Sequence, residues 1–226
     1  MEQIEPIFSF NIMNFKFDIT YSLVVQWAII IILGLIAYFL TRNLKDIPAR
    51  KQNIAEIFVE FVEGVVVENM GESYREFIPF VGTLGLYLLV MNITGLVGIE
   101  PPTKDYNVTL GMALISFIVI QGYTIKKIGI AHYFIGFGKP IMAMIPMNLL
   151  ERVMLPVSLS LRLFGNMTAA AVIMGLLYKA LGSLSWFAQL GLPVFLHFYF
   201  DIFDGVIQMV IFTMLTMINI KIISEH

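Results

Sequence analysis

Four stretches of the chain, 23–40, 77–99, 106–125 and 180–200, run without a charged residue. Each reaches the ~18–20 residues that span a hydrocarbon core, so each predicts a membrane helix. A different rhythm separates the first two. In "NIAEIFVEFVEGVV", Ile54, Ile57, Phe58, Phe61, Val62 and Val65 fall on one stripe of an α-helix, with Glu56, Glu60 and Glu63 on the opposite face. The pattern predicts an amphipathic helix over 50–70 that lies on the membrane surface. Its acidic face suits solvent, or a basic or polar protein neighbour, better than anionic lipid.

The last third has a longer wavelength. Read as single helices, 149–179 and 193–223 would each extend about 46 Å at 1.5 Å per residue. A hydrocarbon layer of ~30 Å requires such helices to tilt or bend, and Pro156 offers a break near the start of the first. The short apolar run 140–150 before it reads as re-entrant or interfacial. The expected organisation is a single all-α integral membrane domain over 1–226. It comprises an external segment 1–22, membrane helices 23–40, 77–99 and 106–125, and the surface helix 50–70. A re-entrant segment with a long tilted helix follows over 140–179, then a second long helix over 187–223. No internal repeat or low-complexity tract interrupts this plan.

Composition strengthens the membrane reading. Of 226 residues 58% are hydrophobic and only 13% charged, about half the share in soluble domains. The absence of cysteine excludes disulfides, thiolate nucleophiles and cysteine–metal sites. Position matters more than net charge. Arg42, Lys45, Arg50 and Lys51 follow the first span and Lys126, Lys127 and Lys139 the third, whereas the alternate loops hold only Lys16 and Lys104. The positive-inside rule then places the amino terminus outside and the carboxyl terminus in the cytoplasm. No basic n-region precedes the first apolar run, so no cleaved signal peptide is expected.

Charges inside the apolar helices carry the candidate chemistry. Arg162, in "SLSLRLFGNM", stays protonated at any accessible pH, and its burial at a bilayer centre costs at least ~3 kcal/mol. Asp201 and Asp204 also lie deep; Glu151 and Arg152 lie near a helix end. Such groups mark ion pathways, or they form a structural Arg–Asp pair between helices. Ser158, Arg162, Gly165, Asn166 and Ala169 share one helical face. Its small residues admit a close partner, and Ser158, Leu159, Gly165 and Ala169 are the expected contact surface. His197, Asp201, Asp204 and Gln208 recur at i, i+4, i+7 and i+11, a track for water or a small cation, or a partial metal-ligand set that no further side chain completes. Asn92, in "LVMNITGL", serves a helix–helix hydrogen bond or a channel. His132 and His226 read as solvated bystanders. Without a phosphate loop, nucleophile elbow or dinucleotide fingerprint, no cofactor and no metal is expected, and nothing points to nucleic acid.

The stretch "PMNLLERVMLPVSLSLRLFGNM" resembles the signature of subunit a of the F-type ATP synthase: P-x-N-x-x-E, then Pro-x-Ser-Leu, then R-L-F-G-N. "PPTKDYNVTLGMAL" is similar to the family's Asp-x-Asn-x-Thr-Leu loop, and "GVIQMVIFTML" carries its glutamine. The strong similarity runs over roughly 100–220. The resemblance implies an ion-translocating stator subunit of a rotary motor, with two aqueous half-channels against a ring of c subunits and no nucleotide site of its own. Arg162 would be the stator arginine facing the ring carboxylate, with Asn166 and Gln208 beside it. Asp105 and Asn107 would lie near the outer channel, and Asn148, Glu151, Asn92, Asp201 and Asp204 complete the expected ion pathway. Asp201 stands where relatives often carry His or Glu. Ala171 stands where some carry glutamate, a loss that Asp204 would make good from the facing helix. Implied partners are the c-subunit ring, the peripheral-stalk b subunits, the rest of the F1Fo complex, the lipid bilayer and the translocated H+ or Na+. The implied location is an energy-coupling membrane, the bacterial plasma membrane. The rival classes are a secondary transporter whose Arg162 binds an anionic solute, which calls for repeats the sequence lacks, and an intramembrane metalloenzyme on His197, Asp201 and Asp204.

Overall fold

Lipid offers backbone amides no hydrogen-bond partner, so an uncharged run must satisfy them within itself as a helix. A computed structural model describes residues 8–12, 15–42, 44–45, 50–130, 133, 144–182 and 188–225. Among them, five helices are long and apolar enough to cross a membrane. The helices are α1 (Tyr21–Thr41), α2 (Arg50–Met70), α3 (Ile78–Ile93), α4 (Tyr106–Ile128), α5 (Ile145–Gly182), α6 (Ala188–His197) and α7 (Gly205–Glu225). A π-helical segment, Phe198–Asp204, joins the last two without a break. The molecule is an all-α membrane protein apart from one small addition at its start. Strands β1 (Phe8–Ile12) and β2 (Phe15–Ile19) pair antiparallel, with Phe8 opposite Ile19 and Phe10 opposite Phe17. Apolar residues alternate with Ser9, Asn11, Lys16 and Asp18, the period of a hairpin.

The core forms where α3, α4, α5 and α7 meet. Leu84, Leu88 and Met91 of α3 pack with Val108 and Met112 of α4, Leu159 and Leu163 of α5, and Phe212 of α7. Helix α1 touches this core through few residues: Ile29 is its one buried side chain, and the Tyr87 hydroxyl donates to Gln26 Oε1 at 3.3 Å. A second cluster seats α2 on the opposite end of the bundle, through Val62, Val66, Met70, Ile220 and Ile223. The apolar stripe of α2 is therefore divided. Val62 faces the bundle, with Val66 beside it off the stripe, while Ile54, Ile57, Phe58 and Phe61 face outward. On its acidic face, Glu63 pairs with Arg75 at 2.9 Å and Gln52 donates to Glu56 at 2.7 Å.

Small residues set the helix spacing. An added Cβ at Gly85 would stand 3.5 Å from Met209 and Thr213 of α7, and one at Gly205 would stand 3.1 Å from the Asn92 Cβ. That close approach lets fully buried Asn92 donate to the Gly205 carbonyl at 3.0 Å while accepting from the Thr103 hydroxyl at 3.2 Å. Of the two roles open to Asn92, the structure displays the helix–helix hydrogen bond.

Helix α5 is about 57 Å long at 1.5 Å per residue, 38 residues in all. The break expected at Pro156 does not interrupt it. A proline removes only one backbone donor, and Pro156 is buried among neighbouring helices, where such a loss is tolerated. Residues 145–150 of the expected re-entrant run are the opening turns of α5; 140–143 lie outside the described residues, as do His132, Lys139 and His226.

Candidate ion-conducting site

Buried positions on α5 are Pro156, Leu159, Ser160, Leu163, Met167, Ala170 and Met174, a stripe at three- and four-residue steps that faces the core. Ser158, Leu161, Arg162, Gly165 and Ala169 lie off this stripe and are exposed. Leu159 does not belong with them. It follows Ser158 by one residue, ~100° around the helix, and is 3% exposed within the core cluster. Of the four residues expected at the contact face, Ser158, Gly165 and Ala169 are exposed together and Leu159 is not.

Arg162 forms no hydrogen bond or ion pair with any described residue. The aspartates of the last helix have other partners: Asp201 Oδ2 lies 2.8 Å from His197 Nδ1, and Gln208 Nε2 lies 3.5 Å from Asp204 Oδ1. The structural Arg–Asp pair is therefore absent among the described residues. Nor do three His, Asp or Glu side chains converge there as a metal site. The expected single polar track resolves into two pairs, His197 with Asp201 on the π-helical segment and Asp204 with Gln208 at the start of α7.

Two cavities flank Arg162 along α5. The larger, about 820 Å³, is lined on α5 by Asn148, Glu151, Arg152, Ser158 and Arg162. Its other walls include Thr124 and Ile128 at the end of α4 and Asn219 and Ile223 near the end of α7, so it opens toward the end of the bundle that carries α2. The smaller, about 220 Å³, is lined on α5 by Met167, Ala170, Ala171 and Met174, and beyond it by Gly95, Glu100, Lys104, His197 and Asp201. It opens toward the α3–α4 loop, the opposite end. Of the two aspartates, Asp201 shares a cavity with Ala171, together with Glu100, and Asp204 lines neither cavity.

Several expected pathway residues have plainer positions. Asp105 is buried and caps α4, accepting from the Asn107 backbone N–H at 3.0 Å and the Asn107 side chain at 3.2 Å. Asn107 is exposed, Asn166 half-buried and Gln208 buried, and none of them lines either cavity. Residues that spacing alone did not single out include Asn219, Gly95 and Tyr178, whose hydroxyl lies 3.2 Å from His197 Nε2. Tyr178 could have been found: it follows Ala171 by seven residues and so shares its helical face.

Fold and site define an α-helical membrane protein in which an intramembrane arginine stands between cavities that open to opposite ends. The family model of the ATP synthase A chain matches residues 23–221. The chain is 33% identical to ATP synthase subunit a, sodium ion specific, of Propionigenium modestum, over 92% of this chain and 75% of that one. It is 36% identical to ATP synthase subunit a of Moorella thermoacetica, over 87% of each. With the Enterococcus hirae subunit a it shares 33% over 95% of each. The chain belongs to the ATP synthase A chain family. It is a multi-pass membrane protein of the F-type ATP synthase with the role of ion-translocating stator, and neither rival class is supported.

Proposed function

We propose that the two cavities are the half-channels of this stator and that Arg162 separates them against a c-subunit ring. The observation that carries this reading is their offset along one helix. The larger cavity reaches α5 up to Arg162, and the smaller begins at Met167, five residues or ~7.5 Å further along. An ion cannot pass directly between them without crossing the field of an unpaired guanidinium. It instead leaves one cavity by neutralising a carboxylate on the ring and rejoins the other after the ring has turned. One charge crossing 100 mV releases ~2.3 kcal/mol, which drives the rotation.

Exposure of Arg162 supports a protein partner at this face. A guanidinium with no partner among the described residues would face lipid at a cost of several kcal/mol. A passing ring carboxylate provides the counter-charge, and Gly165 and Ala169 allow the ring helix to approach. Glu151 and Asn148 line the wide cavity, and Asp201 lines the narrow one.

Cysteines introduced at Ser158, Gly165 or Ala169 should crosslink to ring cysteines under oxidation, while cysteines at Ser160 and Met167, which face the core, should not. Equal crosslinking on both faces would remove the rotor contact. The charge pattern further supports a cytoplasmic position for α2 and the wide cavity. A cysteine at exposed Ser73 should then react with a membrane-impermeant maleimide only from that side, and labelling only from outside would reverse the topology.

A further inference from the structure

The amino-terminal hairpin has two chemically opposite faces. Its register sets Phe8 opposite Ile19, Phe10 opposite Phe17 and Ile12 opposite Phe15. Opposed residues of an antiparallel pair lie on one face of the sheet, and residues two apart along a strand share it. The three pairs therefore place four phenylalanines and two isoleucines on a single face. The other two pairs, Ser9 with Asp18 and Asn11 with Lys16, occupy the reverse. The sustained contacts of each strand are with the other strand and not with a described helix. A lone two-stranded hairpin is marginal in water, so a face of this composition needs cover.

The link to α1 identifies that cover as lipid. Only Thr20 separates β2 from α1, so the Cα atoms of Ile19 and Tyr21 lie within about 7 Å, two steps of the chain. The link has no slack: the Thr20 carbonyl accepts from the Leu23 and Val24 amides at 3.1 and 3.3 Å, inside the first turn of the helix. Helix α1 has 21 residues and extends ~32 Å, which leaves little to spare over a hydrocarbon layer of ~30 Å. The first charges beyond its ends are Asp18 and Arg42. Tyr21 thus stands at the membrane boundary, a favoured place for tyrosine. Gln26 near the start of α1 accepts from Tyr87 in the second half of α3, which puts the hairpin at the bundle end opposite α2.

We propose that the hairpin lies flat on the bilayer, its Phe8–Phe10–Phe17 face in the boundary between headgroups and acyl chains and its Asn11–Lys16 face toward water. It anchors α1. Among the described residues Ile29 is the one buried side chain of that helix, so packing against the bundle holds its depth only weakly. An apolar plate joined to its first turn sets that depth from outside the bundle. The polar face carries one charge of each sign, Lys16 and Asp18, so the attraction is apolar and not ionic. Zwitterionic lipid should serve as well as anionic lipid, and salt should change little.

The test uses the intact ATP synthase in phosphatidylcholine vesicles, with no reactive thiol in the other subunits. The chain has no cysteine of its own, so one introduced at Phe10, Phe17 or Asn11 can carry a polarity-sensitive fluorophore. Probes at Phe10 and Phe17 should show blue-shifted emission, quenching by nitroxide-labelled lipid and loss of quenching by iodide. A probe at Asn11 should do the reverse. Each single cysteine leaves the rest of the apolar face in place, and agreement between two positions guards against local disruption. Phosphatidylglycerol vesicles or added salt should leave the pattern unchanged. In a Phe10→Ser, Phe17→Ser chain, a probe at Ser22 should gain iodide quenching as α1 loses its stop. Equal iodide quenching at Phe10 and Asn11 would place the hairpin in water and overturn the proposal. Protection of Phe10 from both iodide and nitroxide lipid would overturn it in favour of another subunit as the cover. A Ser22 probe that does not respond would remove the anchoring role.

Discussion

Arg162→Ala should abolish coupled ATP synthesis while the chain still folds and copurifies with the ring. No described residue hydrogen-bonds or ion-pairs with Arg162, so its truncation breaks no internal contact of that kind. The stability change should stay within the ~0.5 kcal/mol typical of such exposed sites. Function has no such margin. An emptied ring carboxylate would have to cross the stator without a counter-charge, and an unpaired ion in low dielectric costs several kcal/mol. A barrier of about 4 kcal/mol slows passage roughly 1,000-fold. Removal of the positive field also permits ions to move passively between the cavities. Arg162→Lys should fail largely as well, since an ammonium has a different reach and loses its proton more readily on burial. ATP-driven pumping in vesicles measures the loss, and copurification of the ring checks assembly. Near-normal pumping by Arg162→Ala would end the half-channel reading.

The second large effect is structural. Gly205→Val should prevent stable assembly, because the added Cβ would stand 3.1 Å from Asn92 Cβ and 3.9 Å from its backbone. Asn92 cannot yield by rotating a distal bond; the two helices must separate. Overpacking of this kind costs ~1–3 kcal/mol, and separation also breaks the Asn92–Gly205 hydrogen bond, worth ~1 kcal/mol in a membrane. Recovery of intact complex should fall at least tenfold. Gly175→Ala, with open space at its Cβ, should leave recovery unchanged. An intact, stable Gly205→Val complex would show that this crossing does not set the helix spacing.

Features governed by local patterning were open to reading from sequence. Arg162 stands in a motif dense enough to identify the family, and i, i+4 spacing placed Ser158, Gly165 and Ala169 together on its face. Leu159 was misplaced because adjacency along a helix is not adjacency in space. The choice between Asp201 and Asp204 was not legible, since it depends on which helix each faces and on a π turn that helical spacing does not reveal. Asn92 left two roles open because its partners, Thr103 in the following loop and Gly205 on a distant helix, lie beyond its own helix. Gly95 is informative only once Asp201 lies against it. The amino-terminal hairpin is the opposite case: its two-residue alternation was in the sequence, in a segment read only as external.

The π-helical turn over Phe198–Asp204 gives the aim of Asp201 an unusual dependence. Each residue in an α-helix turns the chain by ~100°, so removal of one residue between 201 and 205 would swing Asp201 and His197 away from Gly95 and Tyr178. Every side chain on α7 could stay where it is. The direction of the acid is thus stored as a count of residues rather than as the chemistry of any one of them. A lineage could re-aim this carboxylate through a single-codon insertion or deletion, a change that a comparison of substitutions alone would miss.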